Sequence, residues 1–160
     1  MRLNKMKAAE KSDEGWYLLS YQRNIGFPAI ITAHIKTGIN LAKKREQSSL
    51  LIFSGGQTRK DVGPLSEAAS YYYLASEKNW IDPKTVQNVY LEEYARDSFE
   101  NLLFSICRFR EVVGTYPKSI SVVGFDFKGK RFSEHHRKAI GFPEANFTYV
   151  GMSISNSIRY

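Results

Sequence analysis

Apolar positions in this 160-residue chain fall into two kinds of run, and the two kinds alternate. Over residues 29–44, Ile30, Ile31, Ile35, Ile39, Leu41 and Ala42 fall largely on one side of a 3.6-residue period, which predicts an amphipathic helix. Gly26-Phe27-Pro28 punctuates its entry, and Lys43, Lys44 and Arg45 complement the helix dipole in its last turn. Leu50-Leu51-Ile52-Phe53 has no such spacing. It is continuously apolar and stops at Ser54-Gly55-Gly56, as a strand buried on both faces does. Residues 64–79 predict a second helix, with Pro64 in its first turn and Leu65, Ala68, Ala69, Tyr72 and Ala75 inside. A short strand follows at 88–91. A third helix covers 97–113, with Phe99, Leu102, Leu103, Ile106, Phe109 and Val113 inside and Gly114 as its stop. A strand at 120–125, a helix at 132–140 and a last short strand at 147–150 complete the series.

Strands alternating with helices through short connections imply parallel pairing by helical crossovers. The expected fold is a three-layer α/β sandwich on a mainly parallel sheet. Residues 16–151 form its single domain, flanked by a polar tail at 1–15 and a second tail at 152–160. Within the domain, the patch from Trp16 to Tyr21 is expected to pack on the body. Ile-Gly-Phe-Pro occurs at both 25–28 and 140–143, but nothing around the two copies matches, so no internal repeat is read from it.

Composition narrows this picture. At 42% apolar and 14% aromatic, the chain can bury one core. Its net charge is +7, but the excess is uneven: residues 1–60 carry eleven Lys/Arg against four Asp/Glu, and residues 61–120 carry six against nine. No lysines interleave with aromatics along a strand face, so the charge points away from nucleic acid and toward a solvated tail and a helix end. Cys107 is the single cysteine. It excludes a disulfide framework and a cysteine zinc site, and it suits a reducing, cytoplasmic setting. No apolar run approaches the roughly 18 residues of a membrane span. The basic N-terminus has no apolar stretch after it and is not read as a signal peptide. On that reading the sequon Asn146-Phe147-Thr148 is not used.

Ligands of open parallel sheets bind beyond the carboxyl ends of the strands, so candidate chemistry is sought there. After the first strand come Ser54, Gly55, Gly56, Thr58 and Arg59, a glycine turn whose N–H groups could cradle an anion. A plain turn explains the glycines equally well. After the second strand, Asp97 or Ser98 can cap the next helix, which leaves Glu92 and Arg96 unexplained. After the third come Lys128, Arg131 and His135. With Glu67, these give cations, carboxylates and an imidazole, the parts that bind a small anionic, phosphate-bearing ligand and move a proton near it. Exposed loops are polar in any case, which is the competing explanation. His34 reads as a core or boundary histidine and Cys107 as an inert thiol. Of the adjacent tyrosines Tyr71, Tyr72 and Tyr73, one or two must pack inward. His135 and His136 point apart on a helix, so no metal site is expected.

Leu51-Ile52-Phe53-Ser54-Gly55-Gly56, Pro64-Leu65-Ser66-Glu67-Ala68, and Leu91-Glu92 followed by Ser98-Phe99-Glu100-Asn101 stand in the order and near spacing of a large family of domains of unknown function. Its bacterial members include SanA, ElyC and YdcF. Gly124-Phe125-Asp126-Phe127-Lys128, with Arg131-Phe132 and His135-His136-Arg137-Lys138-Ala139, resembles the version in fungal and other eukaryotic members. The resemblance covers residues 16–151. It implies a Rossmann-like fold with a polar cleft at the strand ends, and S-adenosylmethionine as a candidate cofactor. It makes Ser54, Gly55, Gly56, Glu67, Glu92, Asn101, Arg131 and His135 site positions. Between Glu92 and Asn101, where members carry Ser or Thr twice, this chain has Ala95 and then Ser98.

One departure is larger. Family members begin with a buried apolar strand at the middle of the sheet, and Met1-Arg2-Leu3-Asn4-Lys5-Met6-Lys7 is too charged to be one. The expectation is a domain short of that strand, either marginal alone or completed by a partner strand or an oligomer. Buried unpaired amides cost about 1–3 kcal/mol each, against a typical net stability of about 5–15 kcal/mol. Two functions compete. One is a transferase- or hydrolase-like site, with Glu67, Glu92 and His135 as catalytic groups and Ser54, Gly55, Gly56, Thr58, Arg59, Ser98, Asn101, Lys128 and Arg131 binding the ligand. The other is a truncated, non-catalytic binding or interaction domain.

Overall fold

A computed structural model describes residues 13–44, 49–60, 63–82 and 88–153. Residues 1–12 of the expected tail, Arg45 of the basic cluster and residues 154–160 lie outside these. The first helix, α1, runs Phe27–Lys44 and buries Ile30, Ile31, Ile35 and Ile39. Strand β1, Leu51–Ser54, is followed by helix α2, Glu67–Glu77. That helix starts later than the expected Pro64 because Ser66 is its N-cap, accepting from the Ala69 N–H at 2.9 Å. Strand β2, Val89–Glu92, leads into helix α3, Ser98–Val113, which closes at Gly114 in the left-handed conformation, φ 83°. Strand β3 is Ile120–Phe125.

The expected helix at 132–140 differs in kind. Arg131–His136 is π-helical and passes into a short α-helical turn, α4, Arg137–Ala139. Arg137 anchors this segment: its guanidinium donates to Ser133 O, Phe142 O and Glu144 Oε2 at 2.9–3.0 Å. The last strand, β4, is Phe147–Met152. It reaches Met152, which the expected tail had included, because it pairs with β3 along its whole length.

Pairing is parallel throughout, so the chain is an α/β protein. Among the described residues the strands form two separate two-stranded sheets, β1 with β2 and β3 with β4. All four lie the same way round. The start of α1 meets the end of β3, with the Phe27 and Phe125 rings 5.3 Å apart. Its end meets the start of β1, where Ser49 Oγ donates to Ala42 O at 3.0 Å.

Side-chain alternation assigns the faces of β1. Leu51 and Phe53 pack with Ile31, Ile35 and Ile39 of α1 and with Ala68, Leu74 and Ala75 of α2. Ile52 and Ser54 therefore turn toward the opposite face, where the Ser54 hydroxyl meets Asn101 of α3. Leu18, 6% exposed, and Trp16 pack on the body, whereas Tyr17, Leu19 and Tyr21 are exposed, so the expected Trp16–Tyr21 patch packs only in part. No helix among the described residues is long and apolar enough to cross a membrane.

Candidate functional site at the strand ends

Strand β1 ends on Ser54 and β2 on Glu92, paired in register. Glu92 is 3% exposed. A carboxylate this deep needs several donors, and it has three. Tyr94 N and Ala95 N donate to Oε1 at 2.7 and 3.0 Å, and Ser54 Oγ donates to Oε2 at 2.5 Å. Asn101 Oδ1 lies 3.1 Å from the same hydroxyl. Glu92 thus fixes the turn after β2 and orients Ser54, with both of its carboxylate oxygens engaged by donors.

The glycine turn is likewise committed to the chain. Gly55 N donates to Glu92 O at 3.0 Å and Gly56 N to Ala95 O at 2.7 Å, so these two amides hold the β1 and β2 ends together rather than facing a ligand. A Cβ on Gly56 would stand 2.7 Å from Ala95 O, and one on Gly55 would stand 2.8 Å from Glu67 Cβ. Close packing is therefore why glycine occupies both positions. Glu67 opens α2 directly against this turn and accepts from the Tyr71 hydroxyl. Burial and the Glu67 carboxylate push the Tyr71 phenol well above its ordinary range.

A cavity of about 600 Å³ opens between β1 and β3, and at its carboxyl end it is lined by Ser54, Glu67, Tyr71, Asn101 and Lys128. Lys128 comes from the turn after β3, its ammonium 5.6 Å from the Phe125 ring centre. It has no carboxylate partner among the described residues. His34 of α1 lines the same cavity. Burial, with Lys128 nearby, holds His34 down at about 4, partly offset by a hydrogen bond with the Gly124 backbone.

The other expected site residues lie off this cavity. Thr58 is exposed. Arg59 donates to Tyr17 O at 2.8 Å and ties the turn to the N-terminal segment. Arg131 and His135 are exposed. Ser98 Oγ sits 2.9 Å from Nε2 of His136 rather than of His135. Burial and the Arg131 charge lower the His136 pKa. Arg96, unexplained by capping, pairs with Glu100 at 2.7 Å, while Asp97 caps α3 through the N–H groups of Phe99 and Glu100. Tyr71 and His34 are the cavity residues that sequence patterning placed only as packing groups. Their helical positions facing the strand ends were the available signal. No group of three or more metal-ligating side chains occurs among the described residues.

Comparison with known proteins finds a fungal relative. The chain is 33% identical over 174 aligned positions to an uncharacterized protein of Saccharomyces cerevisiae, YOR238W, matching 87% of this chain and 57% of the yeast protein. The chain thus spans a little over half the length of that relative. No family model and no solved structure matches it.

Proposed function

We propose that this chain is an α/β domain of the SanA/ElyC/YdcF kind, and that it binds a small nucleotide-like or phosphate-bearing molecule where β1 and β3 end. The observation that carries this reading is the convergence of Ser54, Glu67, Asn101 and Lys128, from four separate segments, on the carboxyl end of one cavity. Lys128 suits an anionic group, while Glu67 and Asn101 suit hydroxyls such as those of a ribose. S-adenosylmethionine, with a carboxylate and ribose hydroxyls, meets the same requirements and is the cofactor the family resemblance suggests. In a transferase or hydrolase reaction, Glu67 is the carboxylate positioned to move a proton. Glu92 is a positioning residue behind Ser54. A reducing, cytoplasmic setting fits the exposed free thiol of Cys107.

A second reading is a non-catalytic binding domain. It is favoured by the Gly55 and Gly56 amides being used within the chain, and by Arg131 and His135 facing solvent. Thermal-shift titration with a nucleotide panel, S-adenosylmethionine and inorganic phosphate separates the two. The first reading expects a stabilising ligand whose effect is lost in Lys128→Ala. No shift from any of them, in a chain shown by circular dichroism to be folded, supports the second.

A further inference from the structure

The turn after β3 carries a side chain that the ligand reading leaves unused. Of the large side chains without a polar atom, Phe127 is the most exposed among the described residues, at 76% against 47% for Val113 and 44% for Ile25. Tyr17, Tyr21, Tyr94 and Tyr116 are also strongly exposed, but each has a hydroxyl that water can solvate. The Phe127 ring has none, and it stands in water with nothing to offset the contact. A single exposed apolar group is ordinary on a protein surface. What sets this one apart is how it is held and what stands beside it.

Phe127 is the middle residue of a 3-10 turn, Asp126–Lys128, directly after β3. Its ring stacks on that of Phe125, with centroids 5.4 Å apart and planes 26° from parallel. Phe125 is fixed in turn by α1, where Phe27 lies 5.3 Å from it and His34 meets it edge-on at 4.8 Å. Phe127 is thus the outer end of an aromatic stack seated on a helix, a supported plate with one face open. The next residue, Lys128, lines the cavity. The acidic residue of the turn, Asp126, packs against Gly151 of β4 instead, where its Oδ1 would stand 2.6 Å from an added Cβ. An apolar plate and a positive charge therefore adjoin at the cavity mouth.

That pairing narrows the class of ligand. An inorganic phosphate or a sugar phosphate would engage Lys128 and leave the plate wet. An acyl chain with an acidic head would use both, but it offers no hydroxyls to Glu67 and Asn101 at the polar end of the cavity. A nucleotide uses all three, with its anionic group at Lys128, its sugar at the carboxylate and amide, and its base on the ring. We infer that Phe127 is the stacking plate for the base of a purine nucleotide or a purine nucleoside derivative. This rests on the ligand reading proposed above and narrows it. A phenyl ring has no donor or acceptor for a base edge, so it selects by stacking strength and favours the larger purines over pyrimidines.

The test is calorimetric titration of the full chain with adenosine monophosphate and with ribose phosphate, which differ only by the base. The unsubstituted chain should bind the nucleotide more tightly. Phe127→Ala should weaken the nucleotide about tenfold or more and ribose phosphate less than about twofold, since stacking on an aromatic side chain is lost only where there is a base to stack. The ring is exposed, so Tm should stay within about 2 °C. Phe127→Trp keeps a plate. It should bind the nucleotide within about threefold of the original chain, and its added emission, over the Trp16 and Trp80 background, should be quenched by the nucleotide and not by ribose phosphate. Equal losses for both ligands in Phe127→Ala, or no loss for either, overturn the plate. Binding of ribose phosphate with no preference for the nucleotide also overturns it while the ligand reading stands. Binding of neither ligand, nor of inorganic phosphate, by the folded chain overturns both.

Discussion

The end of β1 and β2 and the end of β3 are both polar, but their polar groups are employed differently. At the first, Glu92 holds three donors, Ser54 is oriented by Glu92, and the amides of Gly55 and Gly56 bond to backbone carbonyls. At the second, Lys128 stands over Phe125 with no carboxylate partner among the described residues, and Arg131 and His135 face solvent. A saturated cluster is a scaffold and an unsaturated one is available to a ligand. The difference teaches that one polar loop pattern can serve either purpose, and that only the count of satisfied groups separates them.

The strongest challenge to this contrast is Glu92→Ala. It strips an acceptor from three donors in a nearly inaccessible site, and destabilisation of about 4 kcal/mol is expected in urea unfolding. Glu92→Gln keeps one amide oxygen and should cost about half as much. A loss under 1 kcal/mol for Glu92→Ala would mean that this end is no more scaffold than the other.

The next effect concerns the cavity wall that joins the two ends. His34 is held at about 4 when folded, against 6.5 ordinarily. Between these values the unfolded chain takes up a proton that the folded chain refuses. Stability is therefore whole above pH 6.5 and falls as the pH drops toward 4, by about 3 kcal/mol. His34→Phe should flatten that limb of the stability curve. An unchanged pH dependence in His34→Phe would show that the histidine is solvated, and that the wall around it is open rather than packed.

Gly56→Ala tests whether the glycine turn is packing or cradle. Its new Cβ meets Ala95 O at 2.7 Å and Glu93 O at 3.0 Å, both backbone atoms with little freedom to retreat. A loss of about 2 kcal/mol is expected by differential scanning calorimetry, as for other overpacked positions. Full stability with lost ligand binding would return the turn to the role its sequence suggests.

This turn also shows what was legible in the sequence. Apolar patterning located the four described strands and helices α1 to α3, since burial on one face or both leaves a pattern that needs no partner to be read, but it missed the short 3-10 turns at Ser20–Gln22, Asp126–Lys128 and Glu144–Asn146. The α/β class followed from the order of strands and helices. The strand-end positions of Ser54, Glu92 and Lys128 followed too, because chain order places loops at strand ends. What could not be read was the use of each group. Whether Gly55 and Gly56 offer their amides to a ligand depends on Glu92 O and Ala95 O, some 40 residues away. His135 and His136 sit one step apart on a π-helical segment, and it is His136 that meets Ser98. Such helices are rare, and a spacing of 3.6 does not predict which of the two imidazoles meets Ser98.

The smallest stability effects should fall at the open end, where they most sharpen the contrast. Lys128→Ala and Arg131→Ala each remove a cation, and each should change stability by no more than about 0.5 kcal/mol. Their effects on binding should differ. Lys128 lines the cavity with Ser54, Glu67 and Asn101, so losing it removes a charge-assisted contact, worth roughly tenfold in affinity for an anionic ligand. Arg131 lies off the cavity and acts only through a screened field, so its loss should weaken binding less than about twofold at physiological salt. Titration of both variants with the same nucleotide decides the matter. If Arg131→Ala proves the more damaging, the ligand lies outside, along the Arg131–His136 segment.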